Sequence, residues 1–434
     1  MAKYLIKAMI LPMTGPKDIY MDGEIAIDSD KIISVGGKGS SPDDFQPDRI
    51  MELQNHVLMP GLINTHTHAA MTMLRGYADD MPLMPWLEEK IWPFEDRMSG
   101  EDVYWGTKLA LCEMICSGTT TMVDMYAYEE DVAKAVLESG TRTVLSRGMI
   151  GLDPAVGEKA LKEGIDLFNK FDGAGDGRVR VFLGPHAPYT CPEEYLKTIK
   201  READRLKTGI HIHLSETLTE LETIKTRTGL TPIRWLDEIG FFGGPVIAAH
   251  CVHVDGGEMN LFRKYGICVA HNAESNMKLN SGTAPVAEML KQGILVGIGT
   301  DGASSNNDLD MFGEMRTVSL QHKLKFAPDT LSAYEVLEMA TVGGAQVIGN
   351  ENLGMLVPGF KADIIAIDFD QPHFYPRFSI PSHLVYCGRG SDVSMVMVDG
   401  KLLMEDKKLL TIDQNTICTE VEKRAKRIAR EVNK

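Results

Sequence analysis

The sequence predicts an α/β fold, a (β/α)8 barrel of the TIM type, with a small β-sandwich domain built from both ends of the chain. From Pro60 onward, short apolar runs alternate with amphipathic helical stretches, as in a barrel of eight strand–helix units. Both flanks carry short strands and turns instead. We expect residues 1–58 and 359–434 to form the sandwich domain with a C-terminal helix, and residues 59–358 to form the barrel. A chain of 434 residues suits this division better than one small core.

The sandwich strands are expected where β-favouring runs lie between turn residues. These runs are residues 4–10, 23–28, 31–35, 363–367, 395–398 and 401–404. The charged stretch 418–432 predicts a surface helix at the end of the chain.

The barrel strands are expected to end where apolar runs stop. These ends lie near His68, Tyr126, Ile150, His186, Glu216, His253, Asn272 and Asp301. Residues 103–117 carry apolar side chains at helical spacing, and 193–207 follow Pro192 and are rich in Lys and Glu, so both predict helices. The polar residues that suggest chemistry cluster at the strand ends, which is where barrels of this type place their sites.

Composition excludes several classes of function. The formal net charge of -16 argues against nucleic-acid binding, because phosphate recognition needs a basic face. The seven cysteines are odd in number and form no CxxC, which suits a reducing cytoplasm. The first residues lack the cleavage pattern of a signal peptide, and no apolar stretch is long enough to span a membrane.

His66 and His68 indicate a metal site. Residues at i and i+2 of a strand point to the same side, so both imidazoles can reach one cation. A catalytic zinc needs three or four protein ligands and an open position, and His213 and Asp301 at later strand ends complete such a set. His211 shares a strand face with His213, so either can be the ligand; His213 lies nearer the strand end and is preferred.

Two further residues suit proton transfer beside the metal. Glu216 follows His213 by three residues and can act as a general acid and base, although a carboxylate at a helix N-terminus is the structural alternative. His250, near the end of the sixth strand, can polarise a water molecule together with Asp301. His253 and His271 are interpreted as structural.

The motifs resemble those of the amidohydrolase superfamily, and specifically its methylthioadenosine/S-adenosylhomocysteine deaminases. They run through nearly all of the barrel and into the C-terminal sheet region. The quoted segments are PGLINTHTH, LRGYADDMPLMPWLEEKIWPFE, SGTTTMVDMY, GPHAPYTC, HIHLSET, AHNAESNMKLNSG, TDGASSNNDLDMFGEMR and PGFKADI.

The resemblance implies a metal-dependent hydrolase barrel that removes the amino group of an adenine nucleoside. One divalent ion, usually zinc, is implied on His66, His68, His213 and Asp301. Glu216 is implied to protonate the purine, while His250 and Asp301 take a proton from the attacking water. The implied substrate contacts are Glu95 to the ribose hydroxyls, His186 to the purine, Arg147 to the 5′ tail, Trp86 to the base, and Ser304 or Ser305 over the substrate. A homo-oligomer in the cytoplasm, with a small-molecule substrate as its partner, is also implied.

The residues agree with these roles but leave alternatives. Glu95 offers a carboxylate to a ribose diol, or it is a surface residue at a helix start. Arg147 can bind a carboxylate bidentately, or it forms an ion pair with a neighbouring acid. The segment FLGPHAP has no lysine to bridge two metals, so one metal is expected. Where relatives carry a second arginine for the tail, this chain offers Lys159, so the preferred tail stays open.

Two other functions fit parts of this pattern. A hydrolase of chlorotriazines or other amino-heterocycles shares the HTH and HLSE-like segments. A catalytically silent metal-binding scaffold requires Glu216, His250 or Asp301 to be misplaced. The zinc-deaminase plan with P-C-x-x-C is excluded, because the chain has no such motif.

Overall fold

Two eight-stranded sheets organise the chain in a computed structural model that describes residues 2–433. One sheet is parallel and forms the nearly closed barrel; the other is assembled from both ends of the chain. The predicted fold class is therefore confirmed.

The barrel strands follow one another around the sheet in chain order. They are β5 (Leu62–Thr67), β6 (Thr119–Tyr126), β7 (Arg142–Met149), β8 (Val179–Pro185), β9 (Ile210–Leu214), β10 (Val246–His250), β11 (Cys268–His271) and β12 (Val296–Ile298). Every residue of β5 and β6 is buried, as expected for strands covered on both faces. The strands end within three residues of the predicted positions; the largest differences are at β10, which ends at His250 and not near His253, and at β12, which ends at Ile298 and not near Asp301.

The seam between the first and last barrel strands is closed by a few hydrogen bonds. The backbone N–H of Asp301 donates to the carbonyl of His66 at 3.0 Å. The buried side chain of Asn64 donates to Thr300 Oγ1 at 2.7 Å and accepts from the Thr300 backbone N–H at 3.1 Å. This seam therefore sets two residues of the candidate metal site, His66 and Asp301, side by side.

The helices cover the outside of the barrel and its strand ends. Those of the barrel region are α1 (Leu83–Trp86), α2 (Trp92–Glu95), α3 (Gly100–Cys116), α4 (Glu129–Ser139), α5 (Pro154–Phe171), α6 (Ala174–Gly177), α7 (Glu193–Leu206), α8 (Leu218–Thr228), α9 (Pro232–Glu238), α10 (Gly256–Tyr265), α11 (Ala273–Lys278), α12 (Val286–Lys291), α13 (Met311–Lys325), α14 (Ala333–Glu338) and α15 (Gly344–Val347). Then come α16 (Ile380–Tyr386) and α17 (Gln414–Val432), the predicted terminal helix. The chain also forms short 3₁₀- or π-helical segments at Ala69–Leu74, Leu87–Ile91, Met339–Gly343, Pro372–Phe374 and Gly390–Asp392.

The second sheet forms the small β-sandwich. Its strands are β1 (Lys3–Ile10), β2 (Tyr20–Asp28), β3 (Lys31–Gly37), β4 (Arg49–Pro60), β13 (Ile364–Asp368), β14 (Val393–Val398), β15 (Lys401–Glu405) and β16 (Lys408–Leu409). Side chains from both halves, such as Ile25, Leu58 and Met397, share one buried core. The sequence pattern did not predict β4, which pairs in parallel with β1 and leads through Gly61 into the barrel.

None of the helices in the described part of the chain is long and apolar enough to cross a membrane.

Candidate active site

Four side chains from three strand ends meet inside the barrel. His66 lies on β5 and His68 directly follows it, His213 lies on β9, and Asp301 follows β12. The Nε2 atoms of His68 and His213 lie 3.2 Å apart, and Asp301 Oδ1 lies 3.3 Å from His68 Nε2 and 3.4 Å from His66 Nε2. One nitrogen of each histidine lies within 4.8 Å of the others. The structure thus gathers the four residues that the sequence proposed as ligands.

The opposite nitrogen of each ring is tied to the protein. His68 Nδ1 donates to the Met125 carbonyl at 2.5 Å, and His213 Nδ1 donates to the His186 carbonyl at 2.8 Å. Such bonds fix the tautomer and aim the Nε2 lone pair inward, as supporting contacts do at histidine metal sites.

His211 occupies a different place from His213. Its Nε2 lies 2.8 Å from Nδ1 of His66, and its Nδ1 lies 3.2 Å from Ser146 Oγ, so both of its nitrogens are engaged behind His66. Of the two histidines, His213 turns a nitrogen toward His68 and His211 does not, so the geometry favours His213 as the ligand. His66 Nε2 is itself buried and makes no hydrogen bond. A buried nitrogen without a partner is costly unless an ion or water satisfies it, so the donor set fits a cation.

Asp301 is oriented by its backbone and by two serines. Its φ of 63° lies in the left-handed region, which is uncommon for a residue other than glycine and directs the side chain back over the strand end. Oδ2 accepts hydrogen bonds from Ser275 Oγ at 2.6 Å and Ser305 Oγ at 2.8 Å. Oδ1 is thereby left to face the histidines.

Electrostatics keeps most of these imidazoles neutral and Asp301 charged. Burial lowers the pKa of His66 to about 3 and the pKa of His213 well below its usual range. Burial also opposes the charge on His68, but its hydrogen bond to Asp301 raises its pKa to about 9. Against the cost of burial, the nearby Nε2 groups of His66 and His68 hold the pKa of Asp301 well below its usual value. Metals bind neutral imidazoles and ionised carboxylates, so a bound cation would take the place of the proton that Asp301 favours on His68.

Glu216 and His250 lie beside this cluster. His250 Nε2 is 3.9 Å from Glu216 Oε2, and Asn276 Oδ1 lies 2.8 Å from His250 Nδ1, which leaves the Nε2 lone pair facing the site. Burial raises the pKa of Glu216, and the nearby His250 partly offsets this increase. A carboxyl group with a raised pKa can carry a proton near neutral pH, as general acid catalysis needs.

Two residues that sequence reasoning missed hold Glu216 in place. Ser281 Oγ donates to Glu216 Oε1 at 3.2 Å. The buried carboxylate of Glu220 accepts from the backbone N–H groups of Ser215 and Glu216, both at 2.9 Å. Thr217 and Glu220 have the T-x-x-E spacing of a helix capping box, and this was the available signal.

A cavity of about 890 Å³ opens onto these residues, which is large enough for a small-molecule ligand. Glu95 lies in its wall and accepts a hydrogen bond from Tyr126 Oη at 2.5 Å. Burial raises the pKa of Glu95 to about 7, although the bond from Tyr126 opposes the shift. Glu95 is therefore part of the cavity and not a surface residue; Tyr126 is an additional polar group that the sequence did not single out.

The remaining predicted contacts fall into two groups. His186, Arg147 and Trp86 all line the cavity. His186 Nδ1 lies 3.0 Å from Thr190 Oγ1, and Trp86 Nε1 donates to the Ala78 carbonyl at 3.0 Å.

Ser304 is placed differently. It is buried against Met71, with its Oγ 3.0 Å from the Met71 sulfur, and it does not line the cavity. Ser305 does line the cavity and also bonds to Asp301, so the structure brings the second serine of this loop to the site. His253 and His271 lie outside the cavity wall; His253 Nε2 bonds to the Ser281 carbonyl at 2.9 Å.

The chain is similar to known proteins in both sequence and structure. The sequence profile of the amidohydrolase family matches residues 57–403. A 5-methylthioadenosine/S-adenosylhomocysteine deaminase from Desulfitobacterium hafniense (strain Y51) is 62% identical over 429 residues, which are 99% of this chain and 99% of the relative. A protein of the same name from Pelotomaculum thermopropionicum is 51% identical over 430 residues, again 99% of each chain.

Solved structures have the same architecture. A zinc-bound adenosine deaminase from Xanthomonas campestris superposes with a TM-score of 0.94 at 31% identity, covering 98% of each chain. A triazine hydrolase from Arthrobacter aurescens superposes with a TM-score of 0.91 at 24% identity, covering 98% of this chain and all of that one. At that lower identity the likeness concerns the fold alone.

Proposed function

The chain belongs to the amidohydrolase family, within it to the 5-methylthioadenosine/S-adenosylhomocysteine deaminases, and we propose that it hydrolytically removes the amino group of adenine nucleosides. The reaction class is hydrolysis of a C–N bond in a cyclic amidine. The observation that carries the proposal is the gathering of four metal-binding side chains, Glu216 and His250 at one end of a ligand-sized cavity. The expected substrates are 5′-methylthioadenosine and S-adenosylhomocysteine, with 5′-deoxyadenosine and adenosine as further candidates.

One divalent cation, most simply Zn²⁺, would be held by His66, His68, His213 and Asp301. The inward nitrogens, the unpartnered Nε2 of His66 and the free Oδ1 of Asp301 support this assignment. When bound, the ion supplies a lowered pKa to a water molecule, so that hydroxide is available near neutral pH. A single ion is proposed because β8 carries no lysine that would bridge a second one.

Proton transfer is assigned to Glu216, His250 and Asp301. As the water oxygen forms a bond to C6 of the purine, Glu216 donates its proton to the adjacent ring nitrogen. His250 Nε2 and Asp301 accept the proton that the water releases. The C6–N bond then breaks, ammonia leaves with that proton, the remaining hydroxyl proton on the C6 oxygen returns to Glu216, and the base becomes hypoxanthine.

Substrate contacts are assigned by position along the cavity. Glu95, held in place by Tyr126, accepts hydrogen bonds from the ribose hydroxyl groups. His186 and Trp86 contact the purine, and Arg147 faces the substituent on the ribose 5′ carbon. In the loop after β12 we assign the contact to Ser305, since Ser305 lines the cavity and Ser304 does not.

We also propose a cytoplasmic location and a homo-oligomeric assembly. All seven cysteines are free thiols, which suits a reducing compartment. Light scattering coupled to size-exclusion chromatography measures the molar mass of the assembly, and a mass equal to one chain would reject the homo-oligomer.

The testing experiment is a substrate panel on zinc-reconstituted protein. Methylthioadenosine, S-adenosylhomocysteine, 5′-deoxyadenosine, adenosine and free adenine are followed by loss of adenine absorbance and by ammonia release. We expect turnover of nucleosides and not of free adenine. No turnover of any of them, with one equivalent of metal bound, would reject the nucleoside assignment.

A variant separates chemistry from binding. Glu216→Gln should retain one equivalent of zinc and lose at least about a hundredfold in kcat, the usual size of a general acid–base contribution. A wild-type rate in this variant would remove the role given to Glu216.

A further inference from the structure

The cavity extends beyond the candidate metal cluster to a group of charged side chains, which we call the tail subsite. It consists of Arg147 at the end of β7 and of Lys159, Glu163 and Asp166 on α5. All four line the same cavity as His68 and Glu95. Because α5 directly follows β7 in the chain, these groups lie on one side of the barrel mouth.

Arg147 and Glu163 form a pair in which each keeps a free edge. Arg147 Nε donates to Glu163 Oε2 at 2.8 Å, and Arg147 Nη1 donates to the carbonyl of Gly148. The second terminal nitrogen of Arg147 makes no hydrogen bond with the described protein groups and is available to an acceptor. Glu163 Oε1 accepts no hydrogen bond from the described residues, and Lys159 Nζ lies 3.7 Å from it, so this oxygen is available to a donor.

The position of Glu163 beside Arg147 is set by close helix packing. Gly164, the next residue, has no side chain, and a Cβ atom there would stand 2.4 Å from Met149 Cε and 3.7 Å from Arg147 Cβ. Gly164 lets α5 pack closely on β7 without displacing the end of the Met149 side chain, and this packing brings the Glu163 carboxylate to the Arg147 guanidinium. Glu163 keeps a side-chain exposure of 41%, so its free oxygen remains accessible.

Other acids near the subsite already have partners. Glu130 is paired with Lys170 at 2.6 Å, and Asp131 is paired with Lys134 at 2.7 Å. Glu129 accepts the backbone N–H of Tyr126 at 2.7 Å. The tail subsite therefore presents two cationic groups and two carboxylates without an excess of positive charge.

We propose that Glu163 is a specificity-determining residue that accepts hydrogen bonds from an ammonium group on the 5′ tail of the substrate, beside the tail carboxylate held by Arg147. This inference rests on the proposed function, since it concerns the tail of the nucleoside deaminated in the same cavity. A tail that carries only a carboxylate, bound to Arg147, would lie close to the negative charge of Glu163. A tail with an ammonium neutralises that charge and forms a charge-assisted hydrogen bond.

The inference separates substrates that differ only in the tail. A zwitterionic amino-acid tail and a purely cationic aminoalkyl tail both satisfy Glu163. A purely anionic carboxyalkyl tail satisfies Arg147 but leaves Glu163 facing a like charge, which disfavours binding. The sequence alone suggested a contact from Arg147 to the tail carboxylate and Lys159 where relatives carry a second arginine. It did not distinguish anionic, cationic and zwitterionic tails.

The test compares four 5′-thioadenosines whose sulfur carries a methyl, homocysteine, 3-aminopropyl or 3-carboxypropyl group. For wild-type enzyme we expect kcat/KM with the aminopropyl tail to exceed that with the carboxypropyl tail by roughly fivefold or more, a size typical of a charged hydrogen bond at a partly exposed site. In Glu163→Gln, which keeps an acceptor for Arg147 Nε and loses the charge, that ratio should fall about five- to tenfold. Glu158→Gln, an exposed change on the same helix, should leave it unaltered.

The possible results are distinct. Methylthio turnover with a wild-type preference for the carboxypropyl tail overturns the inference while the proposed function stands. An unchanged ratio in Glu163→Gln, with methylthio turnover still measurable, overturns it as well. Absence of turnover of all four compounds in the wild type, with metal bound, rejects the proposed function itself. The wild-type ranking needs no variant, so a misfolded variant cannot hide the answer.

Discussion

Ser281 is the side chain that touches the carboxyl group of Glu216 from outside the reacting cluster. Its hydroxyl donates to Glu216 Oε1, and its carbonyl accepts from His253 Nε2. Through this contact the loop after α11 reaches the proposed general acid. A residue of this kind acts on catalysis by positioning another residue, without contact to the reacting atoms.

We expect Ser281→Ala to lower kcat about tenfold with little change in KM, because a misplaced proton donor affects the transition state more than substrate binding. In Glu216→Gln the same serine change should have almost no further effect, and a double-mutant cycle on kcat measures this coupling. Additive losses in the cycle would show that Ser281 acts elsewhere.

Glu95 illustrates a conflict between stability and function at one residue. Burial raises its pKa to about 7 from an ordinary value of 4.5. Since the folded state then holds this proton more tightly than the unfolded state, the contribution of Glu95 to stability is fully present below pH 4.5 and is lost as the pH rises through 7.

Glu95→Gln should therefore stabilise the protein at pH 8 by roughly 1–3 kcal/mol and have little effect at pH 5. The Gln side chain can still accept a hydrogen bond from the Tyr126 hydroxyl, so it mimics the neutral, protonated form of Glu95. Nucleoside kcat/KM should fall in the same variant. Denaturation at both pH values, in one metal state, checks the sign; a variant that is less stable at pH 8 would contradict it.

The sequence singles out residues that leave a local signal, and the structure brings these residues together. His66 and His68 are recognisable because a strand places i and i+2 on one face, and the other candidate ligands follow apolar runs. Ser281 and Tyr126 carry no such signal, since their importance comes from contacts with residues far along the chain.

At the scale of elements, the barrel strands were predictable and the segment over the cavity was not. Alternation of apolar runs and helices marks the strands of a parallel barrel. Trp86 and Glu95 lie on a helical stretch that runs without a break from Leu83 to Glu95. Pro85 lies in its first turn, where a missing N–H costs little, whereas Pro93 lies in its interior, just after the π-helical turn Leu87–Ile91.

The seam between β5 and β12 makes a prediction at the same scale. Asn64→Ala removes both hydrogen bonds to Thr300 and leaves a buried backbone N–H without a partner, which costs about 1–3 kcal/mol of unfolding free energy. Because the seam also joins His66 to Asp301, zinc retention against a chelator should weaken. Asn169→Ala, an exposed change on α5, is the control and should alter stability by less than about 0.5 kcal/mol. Equal effects of the two changes would mean that the seam does not depend on Asn64.

At the scale of the whole molecule, the sandwich and the barrel are joined by a buried ion cluster. Arg142 begins β7, while Asp363 and Asp399 belong to the sandwich side, next to β13 and β14. Arg142 Nε lies 3.0 Å from Asp363 Oδ2, and its Nη2 lies 2.6 Å from Asp399 Oδ1. The sequence predicted that both ends of the chain form one domain, but pattern alone does not reveal which charges connect it to the barrel.

Removal of this arginine should destabilise the molecule far more than the loss of a surface pair. Arg142→Met leaves the buried carboxylate of Asp363 without a cationic partner, while Asp399 keeps Lys361 and Arg178, and should cost about 3–5 kcal/mol of unfolding free energy. Arg49→Met breaks a solvent-exposed ion pair with Glu405 that lies within the sandwich domain. It should cost about 1 kcal/mol or less of unfolding free energy. Urea unfolding followed by fluorescence and circular dichroism measures both changes.

A third variant distinguishes uncompensated charge from lost packing at this junction. Adding Asp363→Asn and Asp399→Asn to Arg142→Met removes the buried negative charge and keeps the side-chain volumes nearly constant. If buried charge is the cause, the triple variant should recover much of the loss, because exchanging a whole buried ion cluster for neutral groups costs less than removing one partner. If the triple variant is as unstable as Arg142→Met, the arginine stabilises the junction through packing, and the ion cluster is not what holds the two domains together.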